Sequence, residues 1–346
     1  MKWLVLLLLP LLPPAAFAQP DSRSVSPCLS CHSQAKYQPA TSMAHALETV
    51  EECKILINNP ILTTKVGKYS YRIERNANQS SLSVTDGSKT VTLPIRWALG
   101  ASSAIGQTYI LEKNGEFYES RVRYYRELNG LAATMGSEHS APADINDAAG
   151  RLMTLDDKLL CFGCHSTNAV RGKQLTLKKM IAGVQCEHCH ESSNAHLSAM
   201  QLDSLDLATS KDLTKLRNMS AEQTSTFCGQ CHRTWEEVVL QGNLGISNIR
   251  FQPYRLTGSK CYDTDDPRIS CIACHNPHLE LSSQPADYDK KCGACHGGGK
   301  RNAKNCPVSK DRCVTCHMPK LELPGAHYKF SDHRIRIVKP NEKYPS

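Results

Sequence analysis

Seven times in 346 residues, two cysteines flank two residues and a histidine follows at once. The motifs are Cys28-Leu29-Ser30-Cys31-His32, Cys161-Phe162-Gly163-Cys164-His165, Cys186-Glu187-His188-Cys189-His190, Cys228-Gly229-Gln230-Cys231-His232, Cys271-Ile272-Ala273-Cys274-His275, Cys292-Gly293-Ala294-Cys295-His296 and Cys313-Val314-Thr315-Cys316-His317. Two thiols one helical turn apart can reach both vinyl groups of one porphyrin and form thioethers. The adjacent histidine then falls beneath the ring, where an imidazole nitrogen can bind iron. Each motif therefore reads as an attachment site for haem c. Zinc is the rival reading, but it takes four ligands, so seven cysteine pairs leave one over. Zinc also gives no reason for a histidine after every second cysteine, when only 14 residues of the chain are histidine. A thioredoxin-type dithiol would come singly, on a strand–helix unit.

A chain with seven porphyrins cannot be built round an ordinary core. Aromatic residues are sparse (three Trp, twelve Tyr, six Phe), as expected if macrocycles fill the space that aromatic side chains fill elsewhere. Stability should then depend on haem. The start, Met1-Lys2-Trp3 with an apolar run and Ala16-Phe17-Ala18 before Gln19, reads as a signal peptide over residues 1–18. The run contains Pro10 and is too short for a bilayer span. Export to the periplasm or beyond the cell follows, in line with c-type attachment outside the cytoplasmic membrane. The formal charge of +8 falls by one when Lys2 leaves. Each ferric haem c adds about −1, two propionates against a singly positive iron porphyrin, so the oxidised holoprotein is near neutral. Nucleic acid is therefore not an expected partner.

The motifs are unevenly spread. Residues 19–65 form a first haem segment, in which Ala40–Asn58 has the apolar spacing of a helix. Residues 66–140 read as an inserted antiparallel β-module. Tyr69, Tyr71 and Ile73 alternate with polar residues, as do Leu82 with Val84, then Val91, Leu93 and Ile95. Asp86-Gly87 and Asn114-Gly115 are hairpin signals. Residues 141–346 form a six-haem domain, opened by a helical stretch over 142–160, with a capping box at Ser220–Gln223. The expected fold is a multihaem cytochrome c, mainly short α-helices and loops wrapped round stacked haems, with the β-module inserted.

With the motif histidines taken as proximal ligands, seven remain for the distal side. His196 and His278 are well placed to reach a neighbouring haem, and His327 and His333 flank Phe330 after the last motif. His45 and Met43 compete on the first helix, a thioether giving the higher potential. His139 closes the β-module and is a further candidate ligand, whereas His188, between Cys186 and Cys189, reads first as a loop residue. Cys53, Cys261 and Cys306 lie outside the motifs. Export favours oxidation, and Cys261 and Cys306, each preceding a motif, are the suggested pair.

At these residues the chain resembles bacterial multihaem cytochromes of the cytochrome c-554 type. The resemblance is carried by Ser42-Met43-Ala44-His45, Trp97-Ala98-Leu99-Gly100, Gly106-Gln107-Thr108-Tyr109 and Tyr118-Glu119-Ser120. In the haem-rich half it is carried by Cys161–His165, Gly183-Val184-Gln185-Cys186-Glu187 with His196, Cys274-His275-Asn276-Pro277-His278, and Cys316-His317-Met318-Pro319-Lys320 with Asp332-His333-Arg334-Ile335. It implies largely bis-histidine haems, with the distal role on His196, His278 and His333. It reaches toward hydroxylamine oxidoreductase and the pentahaem nitrite reductases. The latter have a lysine in place of the motif histidine at the catalytic haem, and none of the seven motifs here shows that.

The expected function is electron transfer by an exported heptahaem cytochrome, between redox partner proteins or within a membrane-associated electron-transfer complex. The alternative is a multihaem oxidoreductase acting on a small nitrogen or sulfur compound at one open-site haem. The β-module admits a third use, as a docking surface, or a plain packing role.

Overall fold

Alternating apolar and polar residues build a single large antiparallel sheet. The computed structural model describes residues 27–101, 105–137, 140–191, 193–201, 216–242, 244–296 and 306–339. The expected signal peptide and His139 lie outside these. The sheet comprises β1 (Leu47–Thr49), β2 (Ile61–Val66), β3 (Tyr69–Asn76), β4 (Gln79–Thr85), β5 (Thr90–Leu99), β6 (Gly106–Lys113), β7 (Glu116–Tyr125), β8 (Gly130–Ala133) and β9 (Gly150–Leu152). Strands β2 to β8 run in sequence order, with β1 added to β5 and β9 to β7. Strand β2 returns beside β8, so the sheet curls nearly into a barrel. Both hairpins expected at Asp86-Gly87 and Asn114-Gly115 form, joining β4 to β5 and β6 to β7. The sheet reaches past the 66–140 limits read from sequence, because Leu47–Thr49, Ile61–Val66 and Gly150–Leu152 also pair into it.

The period-2 pattern puts Tyr71, Ile73, Leu82, Val84 and Leu93 on one buried face, packed on Ile55 and Leu56 of α1 (Lys54–Asn58) and on Ala148 and Ala149 of α2 (Ile145–Ala149). A second cluster lies against α3 (Leu155–His165). There Trp97 meets both Phe117 and Phe162 edge-on at 5.1 Å between ring centres. Phe162 stands between the two cysteines of the second motif and is fully buried. The sheet thus holds that motif through an aromatic anchor.

The helix expected over Ala40–Asn58 is not formed as one piece. After a short 3-10 turn at Gln38–Ala40 the chain bends, β1 joins the sheet edge, and only Lys54–Asn58 is helical. Tertiary hydrogen bonds outcompete the helical ones. Gly100 N donates to Ala46 O (2.7 Å), and Val184 N donates to Met43 O (2.9 Å). The stretch expected to be helical over 142–160 is likewise divided. Asp144 caps α2, β9 pairs with β7, and a capping box at Thr154–Asp157 restarts the chain as α3. The capping box at Ser220–Gln223 is present and opens the helix Ala221–His232.

Candidate haem sites

Six of the seven motifs fall on a short α-helical turn that ends at, or one residue before, the motif histidine, and the first sits on a 3-10 turn. The helices are α3, α4 (Cys186–Cys189), Ala221–His232, Cys271–Cys274, Ala286–His296 and Cys313–His317. Cysteines three apart on a helix share a face, so each pair presents both thiols to one side. Four of these helices, those carrying the third, fifth, sixth and seventh motifs, have no buried residue. Their side chains are not sunk in a protein core, which fits a porphyrin as the packing partner.

Three motif histidines each face a second histidine from elsewhere in the chain. Ring centres are 6.1 Å apart for His32 and His196, 6.1 Å for His190 and His278, and 6.2 Å for His275 and His333. An imidazole nitrogen bonds a metal at about 2 Å and the ring centre lies about 1.2 Å further, so two imidazoles across one iron stand about 6.3 Å apart. The residues present therefore fit haem.

A family model described as "Cytochrome c554 and c-prime" matches residues 120–191, a segment that carries the second and third motifs. A curated relative, the multiheme cytochrome MtrA of Shewanella baltica (strain OS185), is 23% identical over 180 residues. The match covers 46% of this chain, and the chain spans about half of that relative, 52% of its length. No solved structure matches. The chain is a multihaem c-type cytochrome. Covalently bound haem c is its cofactor.

The cytochrome fixes several imidazoles through Nδ1, which leaves Nε2 for a metal. His165 Nδ1 lies 2.8 Å from Ala46 O, His317 Nδ1 2.9 Å from Arg336 O, and His333 Nδ1 3.1 Å from Ser331 O. Desolvation by neighbouring protein lowers the pKa of His165, which is half-buried, and of His232, which keeps exposed surface. Burial pushes the His333 imidazole down to about 4. His165, His232 and His333 are thereby held in the neutral form at pH 7, the form that ligates metal.

His45 belongs to a buried chain of polar groups. Its Nδ1 is 3.1 Å from Glu48 Oε1, Gln107 Nε2 donates to Glu48 Oε2 at 2.6 Å, and Cys53 Sγ donates to Gln107 Oε1 at 3.0 Å. Desolvation pushes the Cys53 thiol up to about 12, so it stays a donor. Sequence reading missed Glu48 because Ala40–Asn58 reads as an amphipathic helix, and Gln107, in β6, because its partner lies 59 positions away. The spacing of His45 and Glu48, three residues apart, was the available signal.

The remaining candidates are placed differently. His327 adopts φ +47° and packs edge-on against Tyr125 at 4.9 Å, with no motif histidine opposite it among the described residues. His188 lies near the backbone of Ser166, beside the second motif. Cys261 and Cys306 are not bridged. They sit against different motifs, Cys261 near the thiols of Cys274 and Cys295 and Cys306 against His317. Thiols of different motifs also lie side by side, Cys164 with Cys231, Cys228 with Cys271, and Cys292 with Cys313. The second, fourth and fifth motifs are thus neighbours in a row, and the sixth adjoins the seventh.

Among the described residues, no helix is long and apolar enough to cross a membrane.

Proposed function

We propose that this cytochrome is an exported electron carrier with haem c at each of its seven motifs and mostly bis-histidine irons. The observation that carries the reading is the spacing of His32–His196, His190–His278 and His275–His333. An iron closed on both sides by imidazole changes little in geometry between oxidation states. Haem held at neighbouring motifs would supply the redox centres, and burial and hydrogen bonds such as that from His165 to Ala46 would stagger their potentials. The row of neighbouring motifs supports a path between them. An exported carrier needs a donor and an acceptor, and a membrane-associated electron-transfer complex is the setting we favour.

A second reading, reduction or oxidation of a small nitrogen or sulfur compound at one open haem, draws on His165 and His232. Neither faces another imidazole at bis-histidine spacing among the described residues. Intact mass of the mature protein counts the haems. Ferric EPR then separates the readings, since all irons low-spin supports the carrier and one high-spin iron that binds cyanide supports the enzyme.

A further inference from the structure

Three arginines converge beside the second and fourth motifs. The Cζ atoms of Arg233 and Arg250 stand 5.5 and 5.0 Å from the centre of the Phe251 ring, so two cations share one aromatic side chain. Arg123, from β7, lies 5.0 Å over Tyr125. The three feel one another. Desolvation, then the charges of Arg233 and Arg123, lower the pKa of Arg250, and Arg123 acts in the same way on His165 after burial.

Arg123 and Arg233 are half-buried and Arg250 is exposed beside them, and like charges gathered in this way call for a counter-charge. Elsewhere the protein supplies one: Arg255 and Arg336 both bind Asp332, and Arg121 binds Asp147. Here it does not. Arg123 Nε is buried and has no acceptor. Glu119, the acid nearest Arg123 in effect, is taken by Arg151 at 2.9 Å. Among the described residues, Arg233 and Arg250 contact no carboxylate, only the face of Phe251. Arg233, directly after His232, also holds φ +61° and ψ 120°, a strained backbone for a residue with a Cβ. Strain of this kind persists where a side chain has to be aimed.

We propose that Arg123, Arg233 and Arg250 form an anion site that takes a carboxylate or small oxyanion beside the second and fourth motifs. Guanidinium groups suit planar, two-oxygen anions. The anion has two sources, the propionates of a haem attached at either motif or a free ion from solution. The site stands whether the cytochrome only relays electrons or also reduces a substrate.

The test uses oxidised holoprotein, wild type and the variants Arg250→Gln, Arg233→Gln and Arg250→Lys, each checked for haem content. Sodium nitrite and sodium acetate are titrated at low ionic strength by calorimetry, and the haem propionate bending band is recorded by resonance Raman. A free-ion site binds either anion saturably, at least tenfold more weakly in Arg250→Gln, with Arg250→Lys retaining binding. A propionate site shows no saturable binding, but the propionate band moves in both Gln variants and stays in Arg250→Lys. Arg233→Gln, changed just past a helix end, carries the test should Arg250→Gln misfold. No anion binding together with an unmoved propionate band in the Gln variants would overturn the proposal.

Discussion

The imidazole rings of His190 and His278 stand 6.1 Å apart and within 2° of parallel. One belongs to the third motif and the other follows the fifth, so the pair ties together two segments 88 positions apart in numbering, from 190 to 278. Replacing His278 by Met should convert one bis-histidine signal in the ferric EPR spectrum and raise that haem's potential by on the order of 0.1 V. An unchanged spectrum with full haem content would remove His278 from the ligand set.

Glu48 holds His45 on one oxygen and Gln107 on the other. Its replacement by Ala leaves the buried Gln107 amide unmatched and frees the half-buried His45, at a cost of about 1–3 kcal/mol. Thermal unfolding of the holoprotein measures this. Glu48→Gln should retain much of the stability, yet alter the spectrum of any haem that His45 ligates, because the imidazole loses its anionic partner.

Asp332 is fully buried and accepts from Arg255 at 2.9 and 3.0 Å and from Arg336 at 2.7 Å. Burial alone would raise its pKa, but the two guanidinium groups overcome this and hold it below its ordinary 3.8. A depressed carboxylate stabilises the fold fully above its unfolded value and loses that effect as pH falls through the folded one. Acid unfolding of the wild type should therefore steepen below about pH 4. Asp332→Asn should cost about 3–5 kcal/mol at pH 7 and flatten that acid limb. It should also disturb His333, the next residue.

Gly183 adopts φ +75°, and a Cβ there would lie 1.8 Å from Ala44 O. This close approach seats the loop before the third motif on the Ser42–His45 segment. Gly183→Ala should destabilise the protein by about 1–3 kcal/mol or more. Circular dichroism melts, with haem stoichiometry as a control, check it. Gly172→Ala, also at positive φ but with open space round it, should cost less.

The β-module was legible because its strands alternate at period 2 and its turns are Asp-Gly and Asn-Gly, both local signals. The segment Ala40–Asn58 was misread because its apolar spacing fits a helix, while its backbone is claimed by the sheet edge at Leu99 and by Val184. Likewise Cys261 and Cys306 matched as a pair in order along the chain and not in space.

By itself the sequence determined the class of cofactor and the proximal side of each candidate haem site, since Cys-x-x-Cys-His places its three groups within one helical turn. The tertiary structure alone decided which distant histidine faces which motif, that Glu48 anchors His45, and that Arg233 and Arg250 meet at Phe251. The reason is range. A turn of helix is fixed by neighbours in the chain, whereas opposing ligands and counter-charges come from segments that only folding brings together.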